Sequence, residues 1–301
     1  MTARPTSSQE TVIVLVADDF AISDGVSSGI EQLARQRRIS GTSAIVTLPR
    51  WRMDGARLAA LRSDIAIGLH INLTLGEPLG AMVSLAPAGD LPPIGTLVAR
   101  ALARRIDGRE ISAEIARQID AFAQACGHLP DFVDGHQHVH ALPVVRRALL
   151  DALQSHFQAA EHKPLVRVPS DRLRSHLGRG MAASKAITLS ALSAGFADMM
   201  RKAGFPTNDG FAGVTSFAAG EADVIADLEV AARAPGRLHL VMCHPGIPTD
   251  ELASIDPILD RRAAELAVLG RDNALTARMW HPDRAASGER IDWGSVRGGR
   301  S

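Results

Sequence analysis

The sequence contains no tyrosine, and only 4% of its 301 residues are aromatic. Proteins that hold single-stranded nucleic acid stack the bases on aromatic side chains, so this composition disfavours that class. Sugar-binding sites also often use aromatic side chains. For such a site the chain offers only Trp51, Trp280, Trp293 and eight phenylalanines.

The formal net charge is zero, because Lys plus Arg and Asp plus Glu both number 33. We therefore expect no electrostatic attraction to nucleic acid or to an anionic membrane. Uninterrupted apolar runs of 18 residues are absent as well, which predicts that no helix spans a membrane. The first ten residues are polar and lack the apolar core of a signal peptide, so we expect a flexible N-terminus over 1–10.

Cysteine is scarce, since Cys126 and Cys243 are the only two. Two cysteines do not make a disulfide framework, and the chain suits the reducing cytoplasm.

Hydrophobic residues make up 46% and charged residues 22%, the balance of an ordinary globular protein. A chain of this length can form one large α/β domain or two small domains.

Short apolar runs alternate with amphipathic segments along most of the chain. The runs predict strands at 11–17, 41–48, 65–73, 132–139, 165–168 and 238–242. The intervening segments predict helices, including 97–125, most of 171–204 and a last helix over 256–269, whereas 77–95 reads as a long loop. This order predicts one α/β domain over 11–296 with mainly parallel strands, either open or closed as a (β/α) barrel, and a flexible tail over 297–301.

The segment Asp134-Gly-His136-Gln-His138-Val-His140 places one Asp and three His at every second position. In an extended strand these four side chains share one face. Imidazole is a common ligand of zinc and related metals, so the spacing favours a metal-binding rim. The plainer alternative is a histidine-rich surface strand without a ligand.

Other polar residues also fall at the predicted ends of strands. Asp18 and Asp19 follow the first strand, where one carboxylate could bind a metal while the other acts as a base, or one could cap a helix. His70 lies near the end of the third strand. His244 follows the last strand, where it could protonate a leaving group, bind product or cap a helix. The active sites of α/β barrels form at this end of the strands.

Five stretches of the chain together resemble the YdjC-like carbohydrate deacetylases. They are VADDFAISDGVSSGI, GLHINLT, DFVDGHQHVHALP, FPTNDGFAG and CHPG, and they spread in this order over roughly residues 11–270. The resemblance implies a distorted (β/α) barrel with an Asp-His-His metal site. It also implies a hydrolase that cleaves a linear amide C–N bond to remove the acetyl group of an N-acetylated sugar.

The resemblance also assigns roles to the polar residues already singled out. Asp19, His70 and His136 become the ligands of one divalent ion, Mg²⁺ or Zn²⁺. Asp18 becomes the general base and His244 the general acid. The metal would lower the pKa of a bound water and polarise the acetamide carbonyl.

Further residues are implied on the substrate side. His138 and His140 would support the ligands or contact substrate, and Asn208 and Asp209 match a loop on that side. One departure is Ala21, because the family commonly has glycine after the DDF residues, and glycine permits backbone conformations that alanine resists.

Two other functions stay open from the sequence. One is a metal-dependent hydrolase of another class, such as an amidohydrolase or a phosphoesterase. The other is a non-catalytic protein of the same fold that binds a sugar or a metal. The expected partner is an N-acetylated sugar, on a chitooligosaccharide or a glycolipid, with no nucleic acid and no membrane span, and a homodimer stays open as the assembly.

Overall fold

Seven parallel strands form one sheet in the computed structural model, in the order β5-β4-β3-β2-β1-β7-β6. The structure describes residues 11–158, 160, 162–170, 183–233, 237–282 and 290–296. Its strands are β1 Val12–Phe20, β2 Gly41–Ala44, β3 Ala66–Ile71, β4 Phe132–Gly135, β5 Leu165–Val166, β6 Gly210–Ala212 and β7 Leu238–Cys243. The expected flexible termini over 1–10 and 297–301 lie outside the described residues.

The sheet curls into an incomplete barrel. Strands that follow one another in the chain pair side by side except β5 and β6, which form the two edges, and β1 pairs with both β2 and β7. The outer strands β5 and β6 nearly meet, since an isolated bridge joins Val166 to Thr207. This confirms the predicted α/β fold, a distorted barrel of parallel strands in a single domain.

Helices follow most of the strands and cover the outside of the barrel. They are α1 Asp24–Arg35, α2 Trp51–Ala59, α3 Ile94–Leu102, α4 Gly108–Cys126, α5 Val145–His156, α6 Ala183–Leu192, α7 Phe196–Lys202, α8 Glu221–Arg233, α9 Asp250–Ala253 and α10 Leu259–Leu269. Ser23 caps α1 by accepting the backbone N–H of Val26. Part of the predicted helical stretch over 171–204 falls on residues 171–182, outside the described residues.

The alternation of side chains along β1 separates two apolar layers. Ile13, Leu15 and Ala17 pack in the large cluster beneath the helices, whereas Val14 and Val16 pack in a smaller cluster inside the barrel. Residues from the end of the chain complete the inner cluster, namely Ile291, Trp293 and Val296. We call these three residues the C-terminal plug.

The C-terminal plug closes the end of the barrel at which the strands begin. The Trp293 indole is 2% exposed, and its Nε1 donates to the carbonyl of Asp131, just before β4. Leu238 and Leu165, the first residues of β7 and β5, belong to the same cluster. The opposite end of the barrel, where the strands finish, holds the polar residues.

Two further findings bear on the expectations from composition. No helix among the described residues is both long and apolar enough to cross a bilayer. Cys126 and Cys243 are both free thiols.

Candidate active site

Five polar residues that the sequence singled out stand at the carboxyl ends of strands. Asp18 and Asp19 lie in β1, His70 lies in β3, and His136 and His244 come directly after β4 and β7. Asp19 adopts φ 70°, and the register of β1 against β2 shifts between Ala17 and Phe20. This irregularity breaks the alternation of the strand, so both aspartates reach the same polar cluster.

Asp19, His70 and His136 form a group that could hold a metal ion. The Asp19 Oδ1 atom lies 2.9 Å from Nδ1 of His136 and 3.3 Å from Nε2 of His70. Ligand atoms that each lie about 2.1 Å from one ion are separated by roughly 3.0–3.4 Å at octahedral or tetrahedral angles. The observed separations therefore fit a shared divalent cation.

Asp134 and Ser43 orient the His70 ring from behind. The His70 Nδ1 atom lies 2.6 Å from Oδ1 of Asp134 and 3.1 Å from the Ser43 hydroxyl. A carboxylate on one ring nitrogen leaves the other nitrogen aimed at Asp19, the usual support of a metal-binding histidine. Burial alone would lower the pKa of His70, but Asp134, Asp19 and Asp18 raise it to about 10. An ion bound at Nε2 therefore replaces a proton there.

A second group, Asp18, His70 and Asp134, also lies within ligand distance of one another. Both oxygens of Asp134 are already engaged, one with His70 and the other with Ser43 and the Arg167 guanidinium at 3.0 and 2.6 Å. Asp134 thus supports the cluster from behind. The first group remains the better candidate for a metal site.

The Arg167 guanidinium donates two hydrogen bonds of 2.6 Å to Asp18, one to each carboxylate oxygen. Both side chains are buried. Burial would raise the pKa of Asp18, but Arg167, followed by His70 and His244, lowers it to about 2. Asp18 is therefore a fixed, ionised carboxylate at neutral pH.

Arg262 holds the other side of the Asp19 carboxylate. Its guanidinium donates to Oδ2 of Asp19 at 2.6 Å and also binds Asp256. Burial would raise the pKa of Asp19, and Arg262 and His136 instead hold it well below its usual range. With Oδ2 engaged, Oδ1 is the oxygen that faces the two histidines.

His244 stands beside Asp18, because Ala17 of β1 pairs with Cys243 of β7. The His244 backbone N–H donates to the Glu265 carboxylate. Its imidazole meets the Phe217 ring edge to face, with the ring centroids 5.6 Å apart.

The expected histidine-rich strand over 132–139 is wrong beyond Gly135. Residues His136–Ala141 form a 3-10 turn, in which Gln137 and His138 adopt left-handed φ angles of 51° and 60°. An extended strand cannot contain such a turn, so the side chains of Asp134, His136, His138 and His140 do not share one face.

His138 and His140 go to different layers of the molecule. The His138 ring packs against Phe211 of the inner cluster, while His140 packs against Phe196 on the helix side and bonds the Arg167 carbonyl. Burial lowers the pKa of both rings, to about 4 for His140. Of the two, His138 faces the interior of the barrel.

Asn208 and Asp209 hold the barrel's outer strands together. The Asn208 amide accepts from the N–H of Val168 at 2.7 Å and donates to the carbonyls of Val168 and Gly210. Asp209 pairs with Arg201 at 3.3 Å. The structure therefore commits the Asn208 amide to backbone partners.

Three supporting residues were not singled out from the sequence. Arg167 carries a detectable signal, because a charged residue interrupts an apolar strand. Arg262 lies in a predicted helix, and only its burial reveals its role. Ser43 carries no signal, since a serine within a strand is common.

Comparison with known proteins gives matches in sequence and in fold. Residues 12–277 match the model of the family described as YdjC-like protein. A chitooligosaccharide deacetylase of Klebsiella pneumoniae strain 342 is 36% identical over 134 residues, which are 44% of this chain and 52% of the relative. The chitooligosaccharide deacetylase of Yersinia enterocolitica serotype O:8 is 35% identical over 137 residues, 45% of this chain and 53% of that protein. The chain thus spans about half the length of the curated relatives that it matches.

One solved structure is similar over most of its length. It is a protein of Enterococcus faecalis V583 provisionally named as a cellobiose-phosphate cleavage protein. It superposes with a TM-score of 0.64 at 21% identity, over 87% of this chain and 91% of its own. This likeness shows the fold.

Proposed function

Because this chain belongs to the YdjC-like family, we propose that it is a metal-dependent hydrolase that removes the acetyl group from an N-acetylated sugar. The observation that carries the proposal is the Asp19–His70–His136 cluster with the ionised Asp18 beside it. The curated relatives are named chitooligosaccharide deacetylases, so a chitooligosaccharide is the first substrate to test. A glycolipid that carries the same acetamide is the alternative.

Asp19, His70 and His136 would hold the ion. Arg262 fixes Asp19, and Asp134 fixes His70. One carboxylate and two imidazoles suit Zn²⁺, and the carboxylate with open positions for water also tolerates Mg²⁺. Such an ion supplies a Lewis acid that lowers the pKa of water and polarises the acetamide carbonyl.

Asp18 accepts the proton of the attacking water in this proposal. The Arg167 clamp keeps the carboxylate ionised and fixed, which favours orientation over basicity, because a group with a pKa near 2 is a weak base. Proton uptake by Asp18 therefore depends on a strongly acidified water.

His244 donates a proton to the departing amine. Its position across from Asp18 places an acid and a base on adjoining strands, β7 and β1. The Glu265 carboxylate fixes its backbone, and the Phe217 ring lies against its imidazole. For the substrate side, we propose His138 as the contact that faces the barrel interior, with His140, Asn208 and Asp209 shaping the site from behind.

The variant Asp18→Asn tests the proposal. Asparagine keeps the shape of the side chain but cannot take up a proton at neutral pH. Acetate release from N-acetylglucosamine oligomers should fall by about 10²–10⁴-fold while the metal content of the same sample stays near that of the wild type. The control is Asp151→Asn, an exposed acid on α5, which should leave both quantities unchanged.

Three results would contradict the proposal. Wild-type protein with a bound metal that releases no acetate from any acetylated sugar supports a hydrolase of another class or a binding protein. Full turnover by Asp18→Asn makes Asp18 a structural residue. Loss of metal from Asp18→Asn reverses the roles of Asp18 and Asp19.

A further inference from the structure

Phe217 has a backbone conformation that its side chain does not favour. It lies between β6 and α8 with φ 61°, in the left-handed region that glycine enters freely and bulky residues avoid. Its N–H donates to the Thr215 hydroxyl at 3.1 Å, which closes a tight turn. Strained residues of this kind persist where the surroundings over-determine them, and they cluster at functional sites.

The Phe217 ring meets the His244 imidazole. The ring centroids are 5.6 Å apart and the planes are inclined by 70°, the edge-to-face arrangement that aromatic pairs prefer. Both side chains are half-buried at the rim of the barrel. Packing against the phenyl ring restricts rotation of the imidazole about its side-chain bonds.

One buried network fixes both partners of this contact. Arg261 donates to the carbonyl of Ala218, the residue after Phe217, at 2.9 Å. The same guanidinium bonds Oε1 of Glu265 at 2.6 Å, and Oε2 of Glu265 accepts the backbone N–H of His244. Arg261 and Glu265 are 3% and 4% exposed, so the pair forms a rigid frame. The backbones that carry the two rings are therefore held at a set separation.

We propose that Phe217 is a positioning residue that orients the His244 imidazole toward the departing amine. The inference rests on the role proposed above for His244. In that step the carbon–nitrogen bond of the tetrahedral adduct breaks and its electron pair goes to nitrogen. The nitrogen takes a proton from the imidazolium, which leaves a free amine, acetic acid and neutral His244. The acetic acid then gives its remaining proton to water and becomes acetate. The left-handed backbone at Phe217 is the cost of placing a phenyl ring beside the acid.

Two substrates with different leaving groups distinguish positioning of the acid from a general structural role. Diacetylchitobiose loses an amine, which must be protonated, whereas 4-nitrophenyl acetate loses a phenolate that needs no proton. Assays use the full chain loaded with its metal, and they compare Phe217→Gly, Phe217→Leu and Phe217→Tyr with the wild type. Val144→Gly is the matched control, because Val144 also has a left-handed backbone, with φ 70° before α5, and is not one of the site residues described above.

Without the ring, kcat for diacetylchitobiose should fall by about 10–100-fold, part of the 10²–10⁴-fold that a general acid contributes. KM should stay within about threefold, and ester hydrolysis should stay near the wild-type rate. Phe217→Tyr should restore kcat because it keeps the ring. Phe217→Leu, which keeps apolar bulk, should resemble Phe217→Gly, and Val144→Gly should resemble the wild type.

Equal losses on both substrates, or unchanged kcat in Phe217→Gly and Phe217→Leu, would overturn the inference. His244→Asn in the same assays separates this failure from that of the proposed function. If His244→Asn is impaired on the amide while the Phe217 variants are not, only the positioning role falls. If the wild type releases no acetate, or His244→Asn is fully active, the acid role of His244 falls and the inference falls with it.

Discussion

The two ends of the barrel are built in opposite ways. Where the strands begin, the inner cluster is apolar and the C-terminal plug seals it, with Trp293 as its largest side chain. Where the strands finish, Asp18, Asp19, Arg167 and Arg262 are all buried charges. Burying charge is costly unless each group is paired, and here every one of the four has an opposite charge within 2.6 Å.

Backbone strain follows the same division. Of the eight non-glycine residues with positive φ among the described residues, five belong to the segments that form the polar end, namely Asp19, Ala21, Gln137, His138 and Phe217. The C-terminal plug, Ile291, Trp293 and Val296, contains none of them. One end thus contributes apolar packing, and the other holds the polar, strained candidate site.

Trp293→Ala tests the stabilising end and carries the largest expected effect on folding. Removing a buried indole that fills the barrel and bonds the Asp131 carbonyl should lower the free energy of unfolding by about 3–5 kcal/mol. Urea denaturation measures this loss. Because the plug lies at the other end from the site, kcat of the folded fraction should change little.

Trp280→Ala is the control for that variant. Trp280 packs beside Trp293 with ring centroids 5.3 Å apart but is only half-buried, so its removal should cost clearly less stability. A loss of kcat in Trp293→Ala as large as its loss of stability would show that the two ends are coupled, against the division drawn above.

A pH experiment probes the buried layer behind the polar end. His140 is fully buried, its Nε2 bonds the Arg167 carbonyl, and burial lowers its pKa to about 4. In the unfolded chain the imidazole of His140 has a pKa near 6.5. As the pH falls below that value, the imidazole becomes protonated in the unfolded chain but stays neutral in the folded protein. Stability from the neutral ring is complete above pH 6.5 and is lost toward pH 4, by roughly 2 kcal/mol at pH 5.0.

The measurement is the free energy of unfolding in urea at pH 7.5 and 5.0, for the wild type and His140→Gln. Glutamine keeps a donor near the position of Nε2 and does not titrate, so the variant should lose less stability on acidification than the wild type. An equal loss in the two proteins would assign the acid sensitivity to other groups.

Much of the fold could be predicted from the sequence because the strands are buried on both faces. The run 11–17 is apolar after Thr11, and 238–242 is apolar apart from His239, and that pattern identified β1 and β7. The strand β6, Gly210–Ala212, escaped prediction because three residues carry no periodic signal. The ends of strands then placed Asp18, Asp19, His70, His136 and His244 at one edge.

What the sequence could not supply is the three-dimensional pairing of distant residues. Alternation predicted one face for His136, His138 and His140, but two left-handed residues turn the chain after Gly135 and separate them. The partners Arg167 and Arg262 lie 149 and 243 residues from the aspartates that they bind. No local pattern encodes a pair at such a distance.

The substitution Ala21→Gly carries the smallest expected effect on stability. It lies at a position where the family commonly has glycine. The structure gives Ala21 a φ of 70°, with its N–H donated to the Ser27 hydroxyl at 3.0 Å. A left-handed alanine costs about 1–2 kcal/mol, and Ala21→Gly relieves that cost. The greater freedom of glycine in the unfolded chain offsets part of the stability gained. The lost methyl contact offsets a further part, since Ala21 is fully buried.

We therefore expect Ala21→Gly to raise the free energy of unfolding by less than about 1 kcal/mol, measured in urea. The matched change Ala44→Gly should lower it by about 0.5–1 kcal/mol, because Ala44 is equally buried but lies in β2, where glycine only adds unfolded-state entropy and removes packing. Opposite signs at two buried alanines would show that strain belongs to the polar end of the barrel. Equal destabilisation would mean that packing of the Ala21 methyl outweighs its left-handed backbone.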